Sequence, residues 1–180
     1  MNEQYKRKIS AFMSLVLRHK PQEIGLLLDE NGWASVSEFL SKMNAKGGLL
    51  DFESLEEIVL TNDKKRFAFN DDKTKIRASQ GHSVEINLDL KEITPPESLY
   101  HGTVEKFLPE IKNKGLLKMS RQHVHLSTDK ETAIKVGSRR GNPVILIVNS
   151  AEMQKEGYKF YQSENGVWLT DNVPAKYIQF

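Results

Sequence analysis

The stretch Lys91-Glu92-Ile93-Thr94-Pro95-Pro96-Glu97 (KEITPPE) separates two parts of the chain whose residue patterns differ. Two adjacent prolines fit neither a helix interior nor a central strand, so the stretch predicts a stiff connection. Helical spacings and one hairpin pattern come before it, and short strands alternate with helices after it. These patterns predict an α+β protein with one lobe at 1–92, a linker at 93–98 and a second lobe at 99–180.

The N-terminal part predicts three helices followed by a hairpin. Apolar residues recur at helical spacing from Ser10 to His19, and Pro21 discourages continuation of that helix. A capping box, Ser35-Val36-Ser37-Glu38, opens a second helix that extends to about residue 46. The remaining predicted elements are a third helix at 52–60 and hairpin strands at 66–69 and 75–78. This order is typical of a winged-helix module.

The C-terminal part predicts strands that alternate with helices. The β-rich run VILIV at 144–148 has no polar residue, which indicates a strand buried on both faces. The other predicted elements are strands ending at 99–101 and covering 124–127, helices at 107–114 and from the Asp129 cap to about 136, and closing strands at 166–170 and 176–180.

Composition narrows the class of protein. Of 180 residues, 38% are hydrophobic and 28% are charged, which is typical of a soluble globular protein. The chain has no cysteine, which excludes disulfides and thiolate metal sites and fits a cytoplasmic protein. The N-terminus lacks the apolar segment of a signal peptide, and no run is long enough to cross a membrane. No exposed apolar stripe stands out, so we expect a monomer.

The net charge of +2 excludes a broad basic coat, so any nucleic acid must be bound by a small local pocket. The stretch Leu17-Arg18-His19-Lys20-Pro21 offers such a pocket at the end of the first helix. Arg18 provides a planar set of donors, Lys20 a point charge, and His19 a donor that can also move a proton. The alternative is that these side chains only complement the helix dipole.

Two further polar loops carry arginine. Arg77 opens the stretch RASQGHS, whose Gln80, His82 and Ser83 suit a phosphate and sugar hydroxyls, unless the loop is merely solvated. The loop VGSRRGNP places Arg139 and Arg140 between glycines, where they could also cap the preceding helix.

Three histidines mark the second part. His101 in YHGT lies at a predicted strand end beside Gly102, which lets a ligand approach the backbone. His123 and His125 point to one face of their strand, because side chains alternate. Three histidines could bind zinc with one open position. Neither motif includes an Asp or Glu to act as base or orienting partner, so we predict no metal site.

Eight motifs follow one another along the chain: SLVLRHKP, GLLLDENGW, RFAF, IRASQGHS, LYHGT, HVHLS, VGSRRGNPVIL and ENGVWLT. In this order they resemble the motifs of the RNA 2′-phosphotransferase family, the KptA-type tRNA 2′-phosphotransferases. The resemblance covers nearly the whole chain. It implies an N-terminal winged-helix lobe that binds RNA and a C-terminal lobe with the ADP-ribosyltransferase fold that holds NAD+.

The resemblance also implies a two-step reaction that removes an internal 2′-phosphate from RNA, as left by one route of tRNA splicing. The phosphate attacks C1″ of NAD+ and expels nicotinamide, which gives an RNA-2′-phospho-ADP-ribose intermediate. The ribose O2″ then attacks phosphorus. RNA with a free 2′-OH is released together with ADP-ribose 1″,2″-cyclic phosphate. NAD+ is consumed as a co-substrate, and no metal is implied.

The family's catalytic tetrad of Arg, His, Arg and Arg corresponds to Arg18, His19, Arg77 and Arg139. Arg139 is preferred to Arg140 because the family arginine follows the glycine of VGxR by two residues. The arginines are expected to hold phosphate and stabilise charge in the transition state, and His19 to transfer or position a proton. The remaining implied contacts are His101, Gly102, Thr103, Gly115, Leu116, His125 and Ser127 for NAD+, and Lys20, Gln80, His82 and Ser83 for RNA or phosphate.

Two other functions fit the same motifs. ADP-ribosylation of terminal phosphates of RNA or DNA would stop after the first step and needs the same anion pocket. A non-catalytic winged-helix nucleic-acid binder would not need the tetrad. Many protein-modifying ADP-ribosyltransferases carry a catalytic Glu in a late strand. The matching residues here, Asn165-Gly166-Val167-Trp168, contain none, which argues against a protein acceptor.

Overall fold

The computed structural model describes all residues from Met1 to Phe180 and contains two compact units, Met1–Asp89 and Leu90–Phe180. Each unit is built around its own hydrophobic core. Helices occur together with three small antiparallel sheets, which confirms the predicted α+β class. No helix has the combination of length and apolar character that crossing a membrane requires.

The first unit contains the helices α1 (Glu3–Arg18), α2 (Val36–Ala45) and α3 (Phe52–Thr61). The N-cap bond of the predicted capping box is confirmed, because the Ser35 side chain accepts a hydrogen bond from the Glu38 amide at 3.3 Å. The third predicted helix is also confirmed.

Helix α1 begins well before the predicted start at Ser10, because its first turns are stabilised by polar contacts. The Asn2 side chain caps the helix by accepting from the Gln4 amide at 2.8 Å. Lys6 pairs with Glu57 of α3, with 3.1 Å between nitrogen and oxygen. Neither contact can be inferred from the spacing of hydrophobic residues.

The sheet of the first unit consists of β1 (Ala34–Ser35), β2 (Phe67–Phe69) and β3 (Lys75–Ala78), in the order β1-β3-β2. The predicted hairpin of β2 and β3 is confirmed, with Ala68 opposite Arg77. Ile76 is fully buried in the core, and alternation along the strand therefore turns Arg77 to the other face.

The second unit contains two three-stranded sheets, ordered β4-β6-β9 and β5-β8-β7. A backbone bridge between Tyr100 and Ser127 joins them. The predicted strand at 144–148 is the central strand β6, whereas α6 and β7 were not predicted. The elements are β4 (Leu99–Val104), α4 (Leu108–Lys114), β5 (Val124–Leu126), α5 (Lys130–Gly137), β6 (Pro143–Val148), α6 (Ser150–Lys155), β7 (Phe160–Gln162), β8 (Trp168–Thr170) and β9 (Ile178–Gln179).

Residues before β4 are hydrogen-bonded to the second unit. The Ile93 amide donates to the Phe160 carbonyl at 2.9 Å, and the Ser150 hydroxyl donates to the Pro96 carbonyl at 2.7 Å. The proline-containing stretch therefore lies along the second unit.

The prediction that His101 lies at a strand end was wrong, because β4 continues to Val104 with all its residues paired to β6. Gly102 permits this geometry. A Cβ atom on Gly102 would lie 1.8 Å from the Ala133 carbonyl oxygen, so β4 and α5 are in direct backbone contact there. This contact fixes the distance between the histidine strand and the helix that leads to Arg139.

Candidate active site

The first cluster of predicted site residues lies at the end of α1. Arg18 is the last helical residue, and its side chain is only 9% exposed. The amides of Ser83 and Val84 donate to the Arg18 carbonyl at 2.9 and 3.3 Å. The Nδ1 of His19 is 2.8 Å from the Ser83 hydroxyl. These bonds hold the polar loop that follows β3 against the end of α1.

Arg77 extends from β3 and lies over an aromatic ring. Its guanidinium carbon is 4.3 Å from the centre of the Trp33 ring, and its Nη1 donates to the Asn31 carbonyl at 3.4 Å. Cation–π stacking and the hydrogen bond together fix the plane of the guanidinium. A fixed plane is what bidentate binding of phosphate oxygens requires.

His82 lies within the first cluster as a neutral side chain. It is fully buried, and burial together with the charges of Arg18, His19 and Arg77 lowers the pKa of His82 to about 3. Every charge that acts on its ring is positive, so the group is surrounded by cations. His82 can therefore contribute hydrogen bonds to a ligand but no positive charge.

Two buried side chains of this loop have hydrogen-bonding capacity that the protein does not use. Neither ring nitrogen of His82 has a hydrogen-bond partner, nor does the Oε1 of Gln80. Buried polar atoms are nearly always paired, so the loop is complete only when another group supplies donors and acceptors. Lys20, in contrast, is exposed just after α1.

The second cluster is centred on two of the predicted histidines. His101 Nδ1 donates to the His125 carbonyl at 3.0 Å, so its Nε2 is an acceptor in the neutral ring. Burial and the charge of Arg140 lower the pKa of His101, while the bond to His125 opposes the shift. Such an acceptor suits a sugar hydroxyl.

Arg121 is part of this cluster and was missed by the sequence analysis. Its Nη1 donates to the Nδ1 of His125 at 3.2 Å. Partial burial and the charge of Arg140 lower the pKa of Arg121, which places the two arginines near each other. Neither forms an ion pair with a carboxylate. Together they form a cationic surface suited to a diphosphate.

Arg139 and Arg140 lie in the 3₁₀ turn Ser138–Arg140, which follows α5, and both are exposed. The Arg140 guanidinium lies over the Phe107 ring, with 5.6 Å to its centre. Lys130 at the start of α5 lies over the Tyr100 ring at 5.8 Å. Arg140 and Lys130 are therefore positioned over aromatic rings, one of which belongs to Tyr100 of β4.

The remaining residues that are predicted to bind NAD+ are held by contacts within the second unit. Gly115 has φ +79°, and a Cβ there would lie 2.1 Å from the Val173 carbonyl oxygen. Leu116 packs in the core and exchanges two backbone hydrogen bonds with Val173. Thr103 is 7% exposed, and the Ser127 backbone pairs with Tyr100. Their contribution to a ligand site is mainly one of shape.

The predicted histidines do not come together as metal ligands. The ring of His123 packs against Tyr161, with 5.9 Å between ring centres, whereas His101 is hydrogen-bonded to the His125 carbonyl. No group of three potential metal ligands is present.

Each unit thus presents a cluster of cations and neutral hydrogen-bonding groups, which defines an α+β protein with two clusters suited to phosphate-containing ligands. Comparison with known proteins identifies the class more closely. The chain belongs to the RNA 2′-phosphotransferase, Tpt1/KptA family, whose sequence pattern matches residues 4–172. The resemblance seen in the motifs is confirmed.

The chain is similar over its full length to proteins named "Probable RNA 2′-phosphotransferase". The protein of Flavobacterium johnsoniae is 64% identical over 100% of this chain and 99% of its own length. That of Fusobacterium nucleatum is 58% identical over 96% of this chain and 97% of its own length. That of Burkholderia pseudomallei is 53% identical over 96% and 94%, respectively.

Proposed function

We propose that this protein removes an internal 2′-phosphate from RNA and transfers it to NAD+, through the RNA-2′-phospho-ADP-ribose intermediate of its family. Nicotinamide, RNA with a 2′-OH and ADP-ribose 1″,2″-cyclic phosphate are the products. The observation that carries the proposal is the cluster in the first unit, where Arg18 and Arg77 flank a neutral, fully buried histidine.

The first unit is suited to hold the 2′-phosphate. Arg18 is largely buried and Arg77 is fixed on Trp33, so both guanidinium groups are oriented before the ligand arrives. Preoriented cations stabilise the charge that develops on phosphorus when its bond to the RNA O2′ breaks. His82 and Gln80 supply neutral hydrogen bonds, which suit the ribose and phosphate oxygens of the reacting nucleotide.

His19 is the residue best placed for proton transfer in the first unit. Its Nδ1 is held by the Ser83 hydroxyl at 2.8 Å, which orients the ring. In the second step the attacking hydroxyl loses a proton and the departing RNA O2′ gains one, so one imidazole can serve both transfers. The first step has an anionic nucleophile and a neutral leaving group, and needs no base.

The second unit has groups that fit NAD+. His101 Nε2 can accept from a ribose hydroxyl, and Arg121 and Arg140 can bind the diphosphate. Gly102 keeps the backbone of β4 free of side-chain bulk beside this cluster. When bound, NAD+ supplies an electrophilic C1″ with nicotinamide as the leaving group. Arg139 is assigned to stabilisation of the transferring phosphate by its place in the VGSRRG motif.

The test uses a short synthetic RNA with one internal 2′-phosphate, incubated with and without NAD+, and mass spectrometry of both products. We expect NAD+-dependent loss of the phosphate and appearance of ADP-ribose cyclic phosphate. Arg18→Ala is expected to abolish the reaction. Arg7→Ala is the matched control, because Arg7 lies exposed on the same helix.

Two other results would replace the proposal. Accumulation of ADP-ribosylated RNA without release of the cyclic phosphate would indicate ADP-ribosylation as the activity. Tight binding of the RNA with no product at any NAD+ concentration would indicate a non-catalytic nucleic-acid binder.

A further inference from the structure

A cavity of about 400 Å³ lies in the second unit, apart from the cluster of His101 and Arg121. The start of β5, the loop before β7 and the end of β8 surround it. The charged and aromatic side chains that line it include Lys118, His123, Lys159, Tyr161 and Asp171. Neither the mechanism above nor the predicted site residues make use of this cavity.

The aromatic part of the cavity consists of His123 and Tyr161. Their ring centres are 5.9 Å apart and their planes are inclined by 56°, so the two rings form an open corner. Burial and the charge of Lys118 lower the pKa of His123 against the opposing effect of Asp171, so the ring is neutral at pH 7. Both residues are half-buried, which leaves ring surface available for stacking.

The polar part of the cavity has both signs of charge. Lys159 is exposed and forms no ion pair. Lys118 pairs with Asp171 at 3.1 Å, with both side chains well exposed. A free ammonium beside an aromatic corner suits the backbone phosphate of a nucleotide whose base is stacked. The Asp171 carboxylate can accept from a base amine or a ribose hydroxyl.

The register of the sheet relates this cavity to the cluster proposed for NAD+. In the sheet β5-β8-β7, Leu169 pairs with His125 on one side and with Tyr161 on the other. Directly paired residues lie on the same face, so His125 and Tyr161 flank Leu169 in one row. His123 lies on that face too, two residues before His125. The cavity and His125 therefore lie on one face of this sheet.

We propose that the corner of His123, Tyr161 and Lys159 binds one nucleotide of single-stranded RNA that flanks the nucleotide carrying the 2′-phosphate. The inference rests on the proposed function, because it assigns the flanking part of the same RNA substrate. Stacking on the rings gives affinity with little preference among bases, since every base has an aromatic face. The second unit thus binds RNA as well as NAD+.

The test measures binding without NAD+, so that it reports on the corner even if turnover fails. A fluorescent single-stranded RNA octamer with one internal 2′-phosphate is titrated by anisotropy, and a 2′-phosphorylated mononucleoside competes for the site in the first unit. Tyr161→Ala is expected to weaken octamer binding about tenfold and leave the mononucleoside unchanged. Tyr161→Phe should retain binding. Tyr161→Leu, which keeps apolar volume in β7, should lose it if Tyr161→Ala does not fold.

Lysine variants provide an independent measurement. Lys159→Ala should reduce the slope of the logarithm of octamer affinity against the logarithm of salt concentration by about 0.7, as expected for one lost phosphate contact with a single strand. Lys155→Ala is the matched control, because Lys155 is exposed at the end of α6 nearby in sequence.

Three results would overturn the proposal. Octamer affinity could remain unchanged in Tyr161→Ala and Tyr161→Leu. Octamer and mononucleoside could weaken equally in a variant that remains folded, which would mean that the corner does not bind the flanking nucleotide. The variants could lower only the affinity for NAD+ in a parallel titration, which would assign the cavity to the dinucleotide. A failure of the proposed reaction appears instead as absent turnover with normal RNA binding.

Discussion

The two cation clusters differ in how much of their binding geometry exists before a ligand arrives. In the first unit, Arg18 is 9% exposed and Arg77 lies on Trp33, around a fully buried His82. In the second unit, Arg139 and Arg140 are exposed on a short turn, and Arg121 extends from a loop. One cluster is enclosed and fixed, and the other is open.

The difference matches the size of the two ligands that we propose for these clusters. A phosphate monoester is small and highly charged, so it binds best where several donors are already converged and shielded from water. A dinucleotide is long and brings its own surface to bury, so an open cluster along a strand is sufficient. We therefore expect substitutions of Arg18 and Arg77 in the first unit to reduce the rate of the reaction. Substitutions of Arg121 and Arg140 in the open cluster should reduce mainly the affinity for NAD+.

The largest expected effect is the loss of reaction rate when Arg77 is replaced. Replacement by lysine in both clusters then distinguishes the enclosed cluster from the open one. Arg77→Lys loses the planar donors and the stacking on Trp33, and Arg77→Ala loses the charge as well. We expect single-turnover rates to fall by about 10³-fold for Arg77→Ala and by about 10²-fold for Arg77→Lys. Arg140→Lys in the open cluster should stay within about threefold of the wild-type rate, because it keeps the charge. Equal sensitivity of both positions would contradict the comparison.

A second prediction concerns the close contact between β4 and α5 in the second unit. Gly102→Ala places a methyl group into the Ala133 carbonyl and should lower the free energy of unfolding by about 3 kcal/mol. NAD+ affinity should fall as well, because β4 must move from α5. Urea unfolding and calorimetric titration measure both effects. Gly47→Ala is the control, with a left-handed backbone but open space around the new Cβ. Unchanged NAD+ affinity in the Gly102 variant would show that the open cluster tolerates movement of its strand.

The enclosure of the first cluster also predicts a dependence of stability on pH. His82 has a folded-state pKa of about 3 and an unfolded value near 6.5, so the unfolded chain binds the extra proton between these values. Its contribution to stability is complete above pH 6.5 and is lost progressively as the pH falls towards 3. This group alone should lower the free energy of unfolding by about 2 kcal/mol from pH 7 to pH 5.

Chemical denaturation of wild type and His82→Asn at several pH values checks this prediction. The two proteins should differ in slope between pH 7 and pH 5, with the variant flatter by up to one proton. Measurements at pH 8 provide the baseline, since His82 is neutral there in both folded and unfolded chains. Parallel curves would mean that the ring is open to water or protonated in the folded protein.

The smallest effect is expected for Arg121→Ala. Loss of one diphosphate contact from an open cluster should weaken NAD+ binding about tenfold, with little change in the rate at saturating NAD+. Calorimetric titration of NAD+ and the separation of KM from kcat measure this. Lys135→Ala, on the exposed surface of α5, is the control. A fall in kcat at unchanged KM would place Arg121 in the chemistry instead.

Local signals in the sequence predicted those parts of the fold that local contacts determine. The capping box at Ser35 and the hairpin of β2 and β3 each follow from neighbouring residues. The true start of α1 depends on Lys6 pairing with Glu57, far along the chain, and was missed. Strand β1 has only two residues and no repeat that could reveal it.

The candidate site likewise combines features that the local sequence predicts with features that depend on contacts between distant residues. The motifs predicted Arg18, Arg77, His101 and His125 as site residues, because their types and order are distinctive. His82 was assigned to phosphate binding in a polar loop, yet the loop folds against the end of α1 and buries it. Arg121 had no signal, since its contact with His125 depends on how the loop before β5 folds back.

The bond between His19 and Ser83 joins residues that are 64 positions apart. A ribosome therefore completes α1 long before the loop that finishes its end has been synthesised. Until residue 84 has left the exit tunnel, the nascent chain carries the key arginine without the amides that bind its carbonyl. The hydrogen bonds that complete the proposed phosphate-binding cluster can therefore form only after the hairpin and its trailing loop have been synthesised.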